Sequence, residues 1–180
     1  MSTTTTAETP QEKWMKGVAI TATVLAVLTS IASSRAGFCV AHAQLLTALE
    51  GSKWSYYQAK SIKQNLAETQ RNAFEVEVLG ATTTDQKAML EKQLKDYDSN
   101  IGRYDKEKND IKQDAEKVAK ENAIVGRKGN YFSMSVVFYQ IGIMLSSVSG
   151  FLKRKEMWLV GVVFGVVASV FLANGFLLFF

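Results

Sequence analysis

The sequence predicts an all-α integral membrane protein with three transmembrane helices and a long antiparallel coiled-coil helical hairpin. Charge is segregated along the chain. No Asp, Glu, Lys or Arg occurs from Gly17 to Ser34, from Gly129 to Leu152 or from Met157 to Phe180, and each run reaches the roughly 18 residues that a spanning helix needs. The single proline is Pro10, so no proline interrupts a helical ladder downstream of it. Between the first two runs, the polar stretch carries apolar residues at alternating spacings of four and three, with a turn signal at its midpoint.

Residues 1–9 are polar and threonine-rich, the composition of a disordered tail. Thr9-Pro10-Gln11-Glu12 combines a capping hydroxyl, proline at the first helical position and a carboxylate at the third, which starts a helix. The first transmembrane helix is placed at 10–35, with Lys13, Trp14 and Lys16 at its entry. Two lysines, an apolar run and Ala41-His42-Ala43 imitate a cleaved signal peptide. Arg35 interrupts that run and the cleavage candidate lies well past it, so an uncleaved anchor is expected.

Residues 36–128 read as the hairpin, with its turn at 80–85. Gly80 is expected to end the first arm in a left-handed conformation, and Thr84 or Asp85 to cap the second. Gly37, Gly51, Gly126 and Gly129 mark candidate bends. In the second arm, Leu90, Leu94, Tyr97, Ile101, Tyr104, Lys108, Ile111, Ala115, Val118, Asn122 and Val125 form a heptad seam. The first arm offers a charge-free stripe: Ala41, Leu45, Ala48, Ser52, Ser55, Ala59, Ile62, Leu66, Thr69, Ala73 and Val76. Folding the arms about the turn opposes Ala73 to Leu94, Ile62 to Tyr104 and Ala48 to Val118, so small residues repeatedly meet large ones. This stripe is expected to be the arm's inner face.

Tyr131–Leu152 and Met157–Phe180 complete the membrane part at 129–180, joined by a short loop containing Lys153, Arg154 and Lys155. Gly142, Ser146 and Gly150 line one span, and Gly161, Gly165 and Ser169 the other. Small residues four apart let helix backbones approach closely in lipid, so these are the candidate packing residues. Short basic loops stay cytoplasmic. That places the 153–156 loop and the N-terminus inside and the hairpin outside, although Arg35, Arg127 and Lys128 flank the opposite face.

The net charge of +4 is not a nucleic-acid signal. Residues 36–128 hold 15 Lys and Arg against 14 Asp and Glu with the signs interspersed, the pattern of solvated helices. Cys39 and His42 share a helix face, but they are the only cysteine and the only histidine in the chain, too few for a Cys/His metal site. His42 is retained as a pH-sensitive candidate. No phosphate loop, nucleophile–base pair or intramembrane ionisable relay is visible. No enzyme and no cofactor are therefore expected. The best contact candidates are aromatic: Trp54, Tyr56, Tyr57 and Phe74.

The segment Trp54-Ser55-Tyr56-Tyr57-Gln58-Ala59-Lys60-Ser61-Ile62-Lys63 resembles the signature of a bacterial membrane-protein family, domain of unknown function 4337. The layout is similar over nearly the whole chain: one N-terminal span, His42 soon after it, a charged helical middle and two terminal spans around a basic loop. This chain departs from the family pattern in its short threonine-rich tail, where a longer His- and acid-rich one is usual. The resemblance implies a bacterial envelope protein, in the inner membrane, without implying a mechanism. The expected function is that of a membrane-anchored scaffold or complex subunit. It would self-associate or recruit another membrane protein through the hairpin, with the lipid bilayer as a further partner and no nucleic acid. A sensor or accessory subunit of a transport system, passing changes through the hairpin to the membrane helices, is the alternative.

Overall fold

The computed structural model describes residues 10–178, which form three α-helices: α1 (Pro10–Gly80), α2 (Thr84–Leu152) and α3 (Lys155–Leu177). The expected tail at 1–9, including the Thr9 cap, lies outside the described residues. Among the described residues there is no strand, and all three helices are long and apolar enough to cross a membrane. The expected bends do not interrupt the helices. α1 continues through Gly37 and Gly51, and α2 through Gly126 and Gly129, because about 1 kcal/mol per helical glycine is small against a ladder intact on both sides.

The turn tightens to residues 81–83. Ala81 N–H donates to the Val78 carbonyl at 3.3 Å, and Lys87 N–H donates to the Thr83 carbonyl at 3.1 Å. Thr83, rather than Thr84 or Asp85, therefore stands at the N-cap position of α2. No described glycine has a positive φ, so the left-handed ending expected at Gly80 does not occur. The three-residue reach from Ala81 to Val78 closes the last turn instead.

The chain divides into two compact units, one of residues 44–122 and one combining the residues up to 43 with those from 123 onward. The hairpin unit is thus shorter than the expected 36–128. The flanking residues belong with the apolar unit, where a Cβ on Gly129 would lie 3.2 Å from the Cβ of the buried Cys39.

In the hairpin unit, the second-arm seam is observed as expected: each seam residue from Leu90 to Asn122 is buried or half-buried. The first arm is a correction. Every residue of the charge-free stripe is exposed. The inner face lies alternately one and two positions along, about 150° around the helix, and runs Leu46, Glu50, Lys53, Tyr57, Lys60, Gln64, Ala67, Arg71, Phe74 and Val78. The physical reason is that long polar side chains bury their stems while keeping their heads solvated. Lys53 meets Asp114 at 3.1 Å and Arg71 meets Asp98 at 3.0 Å. Lys60 pairs with Glu107, and Lys108 donates to Gln64 at 2.9 Å. Phe74 stacks on Tyr97 with ring centres 5.5 Å apart. These pairs run antiparallel, close to the expected register, and the first arm differs from the expectation in its rotation about the helix axis.

In the apolar unit, Leu25 and Ala32 of α1, Tyr139 of α2 and Ala168 of α3 form the core. Two backbones nearly touch: a Cβ on Gly142 would lie 2.9 Å from the Gly161 carbonyl oxygen, and one on Gly161 would lie 2.8 Å from Ser146 Oγ. Tyr139 is fully buried, 3.0 Å from Ser169 Oγ. Ser169 already donates to the Gly165 carbonyl, so Tyr139 is the donor. Trp158 Nε1 donates to Thr21 Oγ1 at 3.3 Å, tying α3 to α1. The connector between α2 and α3 is only Lys153 and Arg154, with Lys153 at φ 56° turning the chain.

Candidate functional site

The most unusual surface is the outer face of the first arm. A helix in water is expected to place charge outward. Here the residues facing the second arm include Glu50, Lys53, Lys60 and Arg71, whereas the outward row carries none of these types. Leu45, Ile62, Leu66 and Val76 on that row are 66%, 67%, 57% and 69% exposed. The exposed positions of the second arm, such as Lys95, Asp96, Arg103, Asp105 and Lys106, are charged in the ordinary way. One arm is therefore solvated and the other shows a continuous uncharged row.

The aromatic candidates divide between the two faces. Trp54 and Tyr57 are half-buried and meet edge to face at 5.6 Å. Tyr57 also lies under the Lys108 ammonium at 5.5 Å. Phe74 is occupied by Tyr97. Only Tyr56, 52% exposed, faces outward beside the uncharged row. Reading charge-freedom as interior hid this row. The signal that could have found it was a second heptad series, Leu46, Tyr57, Ala67, Phe74 and Val78, which already fills the inner face.

The cross-arm ion pairs shape the electrostatics of the hairpin unit. A hydrogen bond and charge from Lys53 hold the Asp114 carboxyl below its usual range, and contact with Lys60 does the same for Glu107. The reciprocal contact with Glu107 raises Lys60, and Asp98 with Glu75 raises Arg71. These pairs fasten the arms rather than prepare a reactive group. One open hollow of about 350 Å³ lies at the tip, lined by Glu77, Gly80, Ala81, Gln86, Met89 and Leu90, without a convergent set of polar groups.

In the apolar unit the small residues do not act alike. Gly142, Ser146 and Gly161 are in direct contact, and Leu25 fits against Gly142 and Gly165. Ser169 anchors Tyr139, while a Cβ on Gly150 would meet only Val18 Cγ1, at an ordinary contact distance of 3.6 Å. His42 is half-buried with its ring 6.0 Å from that of Phe38. Among the described residues, no three His, Cys, Asp or Glu side chains converge as a metal site would require. The interior of this unit holds Ser135, Ser146, Ser149 and Asn174, while Ile20, Val24, Val27, Val163 and Val166 face out.

The model of one protein family, described as Domain of unknown function (DUF4337), matches residues 14–178. No curated protein and no solved structure matches the chain.

Proposed function

The chain belongs to the DUF4337 family, and from that premise we propose that it is a membrane-anchored scaffold or complex subunit of the bacterial inner membrane. It self-associates or recruits a partner through its coiled-coil hairpin. The observation that carries this reading is the exposed uncharged row of the first arm, since Leu45, Ile62, Leu66 and Val76 lie exposed along it and apolar surface aligned on one helix face marks an association face. The membrane assignment is supported by the apolar unit, whose surface exposes Ile20, Val24, Val27, Val163 and Val166 while Ser135, Ser146, Ser149 and Asn174 are buried beside its apolar core, as a surrounding hydrocarbon favours.

In this reading the start of α1, the end of α2 and α3 are the three spans. The basic segment 153–156, which is the connector and the first residues of α3, and the N-terminus are cytoplasmic, so the hairpin is exoplasmic. Mass measurement of the full chain in mild detergent tests the association. A chain that is monomeric at every concentration, with nothing co-purifying, refutes it. Orientation is tested by labelling Thr83→Cys in a Cys39→Ser background with an impermeant maleimide on intact cells; labelling only after lysis refutes the exoplasmic hairpin.

One observation favours a second reading, a sensor or accessory subunit of a transport system. α1 and α2 each pass unbroken from an apolar span into a hairpin arm, so a shift of either helix would be transmitted. Ligand-dependent thermal stabilisation, or ion flux in liposomes carrying the protein, would favour it over a static scaffold.

A further inference from the structure

We propose that the outer face of the first arm is a seam for a second copy of this chain, with the two copies parallel and in register from Leu45 to Val76. This rests on the scaffold reading above and names its partner. The row repeats at spacings of three and four over about five heptads, the period of a face that lies along another helix rather than in a pocket. α1 thus carries two such seams, about 150° apart around the helix. The inner one is filled by the second arm and the outer one has no occupant among the described residues. A helix with two seams is built for the middle of a multi-helix bundle, with the charged second arms on the outside.

Charge decides between partners. In a parallel pair, the residue preceding each first seam position meets the residue five positions on in the other copy. In this chain the preceding residues are Gln44, Gly51, Gln58, Asn65 and Asn72, all uncharged, and the residues they meet are Leu49, Tyr56, Lys63, Gln70 and Glu77. Gln58 meets Lys63 and Asn72 meets Glu77, so like charges never meet. A strongly charged partner helix would find only Lys63 and Glu77 beside this face to neutralise it, whereas a second copy sets each of them against an uncharged amide side chain. Two copies inserted in one bilayer share an orientation, which makes the pair parallel. In register, Ile62 and Leu66 meet themselves, and Ser52, Ser55 and Ala59 form a narrow stretch where the helices can approach closely. A row about 47 Å long on a helix about 10 Å wide covers roughly 1,000 Å² over both partners, the level at which an interface becomes specific.

The test uses the full chain in mild detergent, in the Cys39→Ser background, with a short bifunctional maleimide. Leu45→Cys, Ile62→Cys and Val76→Cys are each expected to give a cross-linked species of twice the 19.9 kDa chain. Lys106→Cys, on the charged side of the second arm, is expected to give none. Adding Leu66→Glu to the Ile62→Cys protein is expected to cut the cross-linked fraction at least tenfold. At dilutions where the chain is monomeric the thermal unfolding of the hairpin should not change, because Leu66 is largely exposed in the single chain. Cross-linking at Ile62→Cys alone would mean antiparallel copies, and cross-linking at Lys106→Cys alone a different surface; either overturns the proposal. A detergent complex with a different protein and no cross-linked species overturns the self-seam while keeping the scaffold reading. A monomer with no partner overturns both.

Discussion

Replacing Gly161 with alanine adds one methyl group where two helix backbones meet. That methyl would sit 2.8 Å from Ser146 Oγ, 2.9 Å from the Gly142 carbonyl oxygen and 3.3 Å from the Ser146 amide nitrogen. Two of these three atoms belong to the backbone of α2 and cannot rotate away, so α2 and α3 must separate by about 0.5 Å to restore a normal contact. A gap of that size forfeits about a quarter of the dispersion well of each contact, and a buried side chain such as Leu25 makes about 40–60 contacts of about 0.1–0.2 kcal/mol. The loss is about 1–3 kcal/mol, the usual cost of overpacking. It is partly offset by up to about 1 kcal/mol of alanine's helical advantage. Gly150→Ala supplies the comparison: its methyl meets only Val18 Cγ1 at 3.6 Å, so the helical gain should stand alone and the variant should be neutral or slightly stabilised. The assay is reversible unfolding of the full chain in mixed detergent micelles, followed by helicity and Trp158 fluorescence. If Gly161→Ala unfolds no earlier than Gly150→Ala, the close backbone approach is not what holds α2 against α3.

Tyr139→Phe removes the buried donor to Ser169 Oγ and should cost about 0.5–1.5 kcal/mol in the same unfolding assay, with Ser169→Ala less additive than two independent sites. Phe74→Ala removes a ring stacked inside the hairpin and should lower the stability of the hairpin, read by thermal circular dichroism, by about 1–3 kcal/mol; Val76→Ala, on the exposed row, should stay within about 0.5 kcal/mol at dilutions where the chain is monomeric. For pH, Asp114 and Glu107 have lowered carboxyl values in the folded chain, so their contribution is present above the unfolded values and lost as pH falls through the folded ones. The midpoint for unfolding of the hairpin should therefore be flat near neutrality and decline below about pH 4. Asp114→Asn should flatten that decline.

Much of this architecture is determined by residue type alone. Runs without charge can only be long apolar helices, a polar stretch free of proline can continue as helix, and Leu90, Tyr97, Ile111 and Val118 commit the second arm to one inner face because all are apolar. The first arm was not legible in the same way. Its inner face is built from Lys53, Lys60, Gln64 and Arg71, whose hydrocarbon stems pack against the second arm while Asp114, Glu107, Lys108 and Asp98 meet their heads. Residue type cannot distinguish a lysine with a buried stem from one wholly in solvent, so only the packed arms decide which row is inside. The same holds for the small residues of the apolar unit. Gly142, Gly150, Gly161 and Gly165 are equivalent in the sequence, and only the crossing of the helices brings Gly142 to Gly161 and leaves Gly150 room. Composition determined which segments are helical and apolar. Tertiary packing decided which faces meet, and so left the first arm's uncharged row on the outside, because a helix's rotation is set by contacts with its neighbour rather than by its own residues.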